Sequence, residues 1–335
     1  MTDGTDQTSQ GPSSEEIESA LNRTGFLLEH RVAKSLRDYR LAPRVTPEVT
    51  VGDAYPDSES GKSREIDVYA EFYDFVKRDP EISVHICVTL IVECKNSSGP
   101  FVLIGDHGAE SPYVRDFAFT SFDPFSLGFT EAKYESLESK LQLSQLSGFP
   151  TRHDFTGRQL LRLNRQAGGW RADNSSIYDS ILYPLAKARQ YKVEAFKREN
   201  QTHEYESWAL PTIRYIIPIV VTSGQLYTVD ATDDDLKISP AKWANIRRSF
   251  SSNDLKGHFW ADVVSFKGWG EYLDAKIAKI FKSLRDSVTK HIHLYDPEWM
   301  IAHYGQPTDE EFFQEWLDNH LAERNRAAQK SPSKG

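Results

Sequence analysis

The chain has 335 residues, of which 39% are hydrophobic and 27% are charged. This balance excludes a disordered or fibrous protein and predicts a globular one with one large domain or two. The 40 basic residues against 49 acidic ones give a net charge of −9, which excludes a protein that coats nucleic acid through its overall charge but allows a local basic face.

The chain shows no sign of a membrane or secreted location. No apolar stretch approaches the roughly 20 residues that span a bilayer, and the first residues, MTDGTDQTSQ, lack the basic start and apolar run of a signal peptide. Cys87 and Cys94 lie seven positions apart in one apolar run, so their side chains point to opposite faces of a strand and cannot form a disulfide together. A reduced, cytoplasmic protein is therefore expected.

Periodicity predicts the elements of the first hundred residues. Residues 1–14 are polar and predict a disordered lead-in. Apolar side chains then recur every three or four residues up to Tyr39, with Ser13 or Ser14 as the N-cap, which predicts a helix. Alternating or continuous apolar runs predict strands, with loops rich in turn-forming residues between them. The strands are expected at 44–51, 64–75 and 82–95, and the loops at 53–63 and 96–100.

Residues 101–175 are predicted to form an insertion, with helices at 130–146 and 155–163. Its aromatic residues fit either a small satellite core or a surface that stacks on bases, the core being the more common role. These aromatic residues are five phenylalanines (Phe117, Phe119, Phe122, Phe125 and Phe129) and those of the segment 168–178.

The rest of the chain alternates helices with strands. Helices are expected at 177–199, 270–290 and 308–324, and strands at 212–222, 225–229 and 258–266. Hairpin-like early strands and helix-connected later ones predict an α/β fold with a mixed sheet flanked by helices. The predicted organisation is one domain over 15–290 followed by an acidic helical tail over 291–335.

Two neighbouring predicted strands carry charges where burial is expected. Asp67 interrupts the first, and Glu93 and Lys95 end the second after an almost continuous apolar run. Such charges are costly unless they pair with each other or bind something. Two carboxylates at adjacent strand ends can hold Mg²⁺ or Mn²⁺, and a lysine two residues after one of them shares its face of the strand.

This arrangement resembles the PD-(D/E)xK nuclease superfamily, which has the restriction-endonuclease-like fold. The matching residues are Asp67 and the triplet Glu93-Cys94-Lys95, with Ile66 in place of the proline that precedes the aspartate in the family motif. Glu29 on the first helix matches a glutamate with which many members complete the metal site. The resemblance covers roughly residues 15–105 and, more loosely, the helix at 177–199 and the strands after it.

The resemblance implies metal-dependent hydrolysis of phosphodiester bonds in nucleic acid, with DNA favoured over RNA. Asp67, Glu93 and Glu29 would hold Mg²⁺ or Mn²⁺, and Lys95 would position the attacking water. It also implies a possible homodimer. The triplet alone carries little weight, because Glu131–Lys133 and Glu138–Lys140 have the same spacing within a predicted helix.

A local basic region accompanies the acidic motif. Residues 151–200 contain ten lysines and arginines against five acids, and residues 237–256 contain five against one. This distribution favours contact with a phosphate backbone. The expected nucleic-acid contacts on the helix 177–199 are Lys187, Arg189, Gln190 and Lys192. Two alternatives remain: a non-catalytic nucleic-acid-binding or interaction protein on the same fold, and an α/β protein in which the charges form a structural salt bridge.

Overall fold

A computed structural model gives the conformation of most of the chain. The described residues are 11–21, 24–42, 44–57, 61–78, 82–107, 123–149, 151, 153–174, 177–202, 211–232, 234–252 and 255–330. Most of the predicted lead-in and three of the phenylalanines, Phe117, Phe119 and Phe122, lie outside these residues.

The described part of the chain is mixed α/β, as predicted. Its helices are α1 (Ser14–Leu21), α2 (Phe26–Asp38), α3 (Leu137–Lys140), α4 (Tyr183–Thr202), α5 (Trp269–Tyr272), α6 (Ala278–Lys290), α7 (Pro297–Tyr304) and α8 (Glu310–Lys330). Its strands are β1 (Glu48–Pro56), β2 (Ser63–Arg78), β3 (Ile82–Lys95), β4 (Phe101–His107), β5 (Phe155–Gln166), β6 (Gly169–Asp173), β7 (Thr212–Thr222), β8 (Leu226–Asp230), β9 (Lys237–Ala241), β10 (Trp243–Ser251) and β11 (Lys256–Ser265).

These strands form one mixed sheet in the order β1-β2-β3-β7-β11-β10-β5-β4-β8-β9, and β6 pairs only with β5. β1, β2 and β3 are an antiparallel meander, and β7 lies parallel to β3 along its length. A parallel neighbour requires a crossover connection, and α4 immediately precedes β7. β3 lies between two strands and under helices on both faces, which explains its almost continuous apolar sequence.

The core consists of two clusters, one on each face of the sheet. One contains the inward sides of α2 and α6, and the other contains the inward side of α4. The predicted tail belongs to the first cluster, because Leu294, Met300, Phe313 and Trp316 are buried there. Residues 294–316 therefore pack as part of the main body.

The segment predicted as an insertion contributes to the sheet at both of its ends. β4 pairs with β5 and β8, and β5 also pairs with β10. The helix predicted at 155–163 is wrong, because this segment is the first part of β5. Only the short α3 and 3₁₀ turns form within the helix predicted at 130–146. Phe125 and Phe129 pack against or within the first core cluster, in agreement with the core interpretation.

The first predicted helix is divided in two. α1 begins with reciprocal bonds between Ser13 and Glu16, a capping box. None of its residues is buried, and Ile17 and Leu21 are exposed. α2 supplies the buried apolar face instead, starting after Gly25. The helical period thus identified the segment as helical but did not show that it is interrupted before Gly25.

Candidate functional site

Asp67 lies where β2 and β3 separate. The paired register of the two strands ends at Val68 and Val92, while the earlier part of β2 stays paired with β1. The Cys94 N–H donates a hydrogen bond to Asp67 Oδ2 at 2.6 Å. The carboxylate therefore occupies the gap between two diverging strands and is fixed by the backbone of the second one.

Glu93 and Lys95 lie side by side at the end of β3, as their spacing predicts. Lys95 Nζ is 2.6 Å from Glu93 Oε1, and the two side chains are 30% and 13% exposed, respectively. Both residues still pair with β7, at Val220 and Thr222. The rigid centre of the sheet thus holds both charged groups next to Asp67.

Glu29 reaches the same place from α2. A Cβ atom built on Gly25 would be 3.1 Å from Glu29 Oε1 and 3.9 Å from the Cys94 carbonyl oxygen. Asn96, the residue after β3, donates its side-chain amide to the Thr24 carbonyl at 3.0 Å. The beginning of α2 is therefore tied to the end of β3, and the small Gly25 leaves room for the glutamate.

The four side chains interact electrostatically. Burial, and after it the negative charge of Asp67, raises the pKa of Glu93 to about 7 despite the opposing effect of Lys95. Burial and then the Asp67 charge likewise raise the pKa of Glu29 to about 7. Burial also raises the pKa of Asp67, although the Cys94 N–H opposes it. Burial lowers the pKa of Lys95, but the combined effect of the neighbouring groups, chiefly Glu93 and then Asp67, raises the pKa overall.

Glu65 adds a fourth carboxylate that sequence reasoning missed. Its charge raises the pKa values of both Asp67 and Glu29, although its own side chain is exposed. The signal was available in the sequence, because Glu65 precedes Asp67 by two residues on one strand and so shares its face.

The donor chemistry fits a hard divalent cation. Among the described residues, no group of three or more His, Cys, Asp and Glu side chains is arranged closely enough to hold a metal. However, the site gathers carboxylates, the ligands that Mg²⁺ and Mn²⁺ prefer, and Lys95 is the cation that interacts with all three of Glu29, Asp67 and Glu93. Burial is the main cause of the raised carboxyl pKa values, and repulsion between the carboxylates adds to it. A bound cation would relieve that repulsion.

The predicted nucleic-acid contacts on α4 are engaged within the protein. Lys187 is buried, with Nζ 2.6 Å from Asp57 Oδ1, and Lys192 Nζ is 2.6 Å from Asp53 Oδ2. Both lysines therefore fix α4 to the β1 region, in contrast to the role predicted for them.

The remaining two residues of that prediction differ from each other. Gln190 donates to Glu194 at 2.8 Å on the same helix, and Arg189 is half-buried. The surface of α4 thus offers less positive charge to a ligand than the sequence suggested.

A second buried carboxylate lies farther along the same strands. Glu71 accepts hydrogen bonds from the Tyr69, Tyr73 and Thr89 hydroxyls and pairs with Arg214 on β7. Arg214 in turn lies over the Phe196 ring at 3.7 Å from its centroid. Each of these partners donates a hydrogen bond, and Arg214 balances the negative charge of Glu71.

Both cysteines are free and buried, in agreement with the prediction that they do not pair. Within the described residues, no helix has the length and apolar character needed to cross a membrane. In comparisons with known proteins, no family model, no curated protein and no solved structure matches this chain.

Proposed function

We propose that the protein is a metal-dependent nuclease that hydrolyses phosphodiester bonds in DNA, with a restriction-endonuclease-like fold. The observation that carries this proposal is the position of Asp67, Glu93 and Lys95. Two half-buried carboxylates and a lysine gather where two antiparallel strands diverge, and the carboxylates have raised pKa values. Clustered titratable groups with mutually perturbed pKa values are typical of active sites.

The order of the elements supports the same proposal. The chain runs α2-β1-β2-β3, crosses over through α4 and returns as β7 parallel to β3. This helix, meander, helix and parallel strand correspond to the region that the sequence resemblance covers. Glu29 on α2 is close enough to Asp67 for that charge to raise its pKa, which supports the supporting role that the resemblance gives it.

The residues present have distinct roles in this chemistry. Asp67 and Glu93 would hold Mg²⁺ or Mn²⁺, with Glu29 in support, and the cation would activate a water and neutralise charge on the phosphate. Lys95 is positioned by Glu93, so its ammonium group can orient the attacking water and stabilise negative charge on the phosphoryl oxygens. The Cys94 N–H keeps Asp67 directed into the gap between the strands.

The test is incubation of the purified full chain with plasmid and linear DNA in Mg²⁺, in Mn²⁺ or in EDTA. The proposal expects strand cleavage with either metal and none in EDTA. The double variant Asp67→Asn/Glu93→Gln, purified identically, controls for contaminating nucleases and should not cleave. Equal cleavage by wild type and double variant, or no cleavage of any DNA, would overturn the proposal.

A further inference from the structure

A hairpin extends from the end of β5, and the loop that follows Lys95 packs against its base. β5 continues past its pairing with β4 and turns back as β6, with Arg165 opposite Trp170 and Asn164 opposite Arg171. Residues 165–172 are all exposed. Among the described strands, β6 pairs with β5 alone. The pairing of the other strands in the sheet therefore does not depend on β6.

The hairpin carries an exposed aromatic ring next to a cation. Trp170 is 55% exposed and is the one described tryptophan with a largely exposed side chain. The Arg165 guanidinium lies 5.9 Å from the centre of the Trp170 ring. Tryptophan is enriched at binding surfaces because its ring offers a large apolar contact area, so an exposed one beside a cation is a candidate contact for a partner.

The charge of the hairpin is opposite to that of the whole chain. Residues 162–173 include three arginines and one acid, whereas the full chain has a net charge of −9. The acid is Asp173, which forms an ion pair with Arg162 at 3.7 Å and accepts a hydrogen bond from the Asn164 amide at 3.2 Å. In the part of the chain that the structure describes, Arg165 and Arg171 form no ion pair, so both are available to an anionic ligand.

Short contacts connect the hairpin to the candidate site. The Ser223 N–H donates to the Lys95 carbonyl at 3.2 Å, and the Ser97 N–H donates to the Ser223 hydroxyl at 3.0 Å. Three residues after Ser97, the Pro100 carbonyl accepts a hydrogen bond from the Leu163 N–H at 2.9 Å. Trp170 lies opposite Arg165. Arg165 is two positions after Leu163, a distance of about 7 Å along the strand.

The base of the hairpin is seated rigidly. A Cβ atom at Gly99 would lie 1.8 Å from the Leu163 carbonyl oxygen, so only glycine allows the loop after Lys95 to approach β5 this closely. A ligand held by the hairpin would therefore keep a fixed position relative to the end of β3.

We propose that the hairpin 162–173 binds a single-stranded segment of DNA next to the bond that is cleaved, an inference that rests on the proposed function. Trp170 stacks on an unpaired base, and Arg165 and Arg171 contact the flanking phosphates. Bases within a duplex already stack on each other and offer no free face to an indole, whereas stacking on aromatic side chains is the main way in which proteins hold single strands. The substrate class is therefore DNA with an unpaired segment, such as a flap or an overhang.

The experiment measures binding in EDTA, where no cleavage occurs. Fluorescein-labelled probes are a thymidine oligonucleotide, a blunt duplex and the same duplex with a single-stranded flap, each titrated with the full chain. Trp170→Ala is expected to weaken binding to the oligonucleotide and the flap about tenfold or more, with little effect on the duplex. Arg171→Ala should weaken all three and reduce the slope of log affinity against log salt by about one.

A matched control exists elsewhere on the surface. Lys133 lies 5.9 Å from the ring centre of Tyr134, which is 90% exposed, so the double variant Lys133→Ala/Tyr134→Ala removes a similar pair and should change none of the affinities. Thermal melting checks that each variant is folded.

The outcomes separate this inference from the proposed function. Wild-type affinity for the flap in folded Trp170→Ala, or no preference of wild type for unpaired DNA, would overturn the hairpin inference even if plasmid is cleaved. Hairpin-dependent binding without cleavage in Mg²⁺ or Mn²⁺ would support the binding role and overturn the nuclease proposal.

Discussion

Two buried carboxylate clusters lie on the same two strands and differ in how their charge is balanced. Glu71, in the middle of β2, is surrounded by donors: three hydroxyl groups and the Arg214 guanidinium. Asp67, near the beginning of β2, lies instead among further carboxylates and interacts with one lysine, Lys95.

The difference follows from position in the sheet. The centre of the sheet excludes water, so a carboxylate there must be satisfied by side chains of the protein. The strand ends diverge and leave a gap, where an excess of negative charge can be retained for an external cation. The complete donor set around Glu71 fits a carboxylate that stabilises the fold, whereas the excess of carboxylates around Asp67 is what the proposed cation would neutralise.

The largest effect is expected from removing the cation of the neutralised cluster. Arg214→Met leaves Glu71 buried without its ionic partner, so the free energy of unfolding should fall by about 3–5 kcal/mol, measured by urea denaturation. Lys282→Met, which breaks the exposed pair with Asp286, is the control and should leave stability unchanged. An equally stable Arg214→Met would mean that the Glu71 cluster does not hold the sheet together.

Removal of the lysine at the candidate site should reduce the rate of DNA cleavage. Lys95→Ala should reduce DNA cleavage about 10²-fold or more, equivalent to about 3 kcal/mol of transition-state stabilisation, with little change in DNA affinity. The control is Lys133→Ala, which alters the same Glu-x-Lys spacing outside the sheet and should cleave normally. Undiminished cleavage by Lys95→Ala would remove this lysine from the mechanism.

The excess negative charge should make stability depend on pH in the absence of metal. The folded pKa of Glu93 is raised from 4.5 to about 7, so folding favours its protonated form. This contribution is complete below about pH 4.5 and is lost as the pH rises through 7. It amounts to about 3 kcal/mol.

Thermal melts in EDTA between pH 4.5 and 8 measure this dependence. Glu93→Gln should show a flatter profile than wild type, and Mg²⁺ should stabilise wild type more at pH 8 than at pH 5. Identical profiles for the two proteins would show that Glu93 does not titrate in this range.

The smallest effect on stability is expected at Asp67, and Asp57 is the aspartate to compare it with. Asp67→Asn should be as stable as wild type in EDTA or more stable by up to about 1 kcal/mol, because an amide oxygen can still accept the Cys94 N–H while the repulsion is relieved. Asp57→Asn should instead lose several kcal/mol, because Asp57 is buried and paired with Arg64 and Lys187. Chemical denaturation of both variants measures the contrast, and a large loss in Asp67→Asn would identify Asp67 as a structural carboxylate.

Much of the sheet could be predicted from local pattern. Ile82–Lys95 and Thr212–Thr222 were predicted with their observed bounds, because strands buried on both faces leave continuous apolar runs. The neighbouring positions of Glu93 and Lys95 followed from the two-residue period of a strand. These features are local, so they can be read without knowing what lies beside them.

The wrong secondary-structure predictions concern segments whose conformation is set by contacts with distant parts of the chain. Phe155–Gln166 contains leucines at spacings that also suit a helix, but its pairing with β4 and β10 makes it a strand. Gly157 permits this, since a Cβ there would lie 2.6 Å from a Leu103 methyl group. β9 was missed because it has no buried position, and β10 was missed because its buried positions do not alternate clearly with exposed ones.

The sequence by itself determined which residues carry the charge of the candidate site and on which elements they lie, because backbone periodicity fixes the spacing of side chains on one face. Only the tertiary structure decided which charges are balanced. Lys187 and Lys192 were read as ligands for phosphate, yet each pairs with an aspartate of the β1 region more than 100 residues away. Partner identity depends on how α4 packs across the sheet, and no local pattern records a contact between segments so distant in the chain.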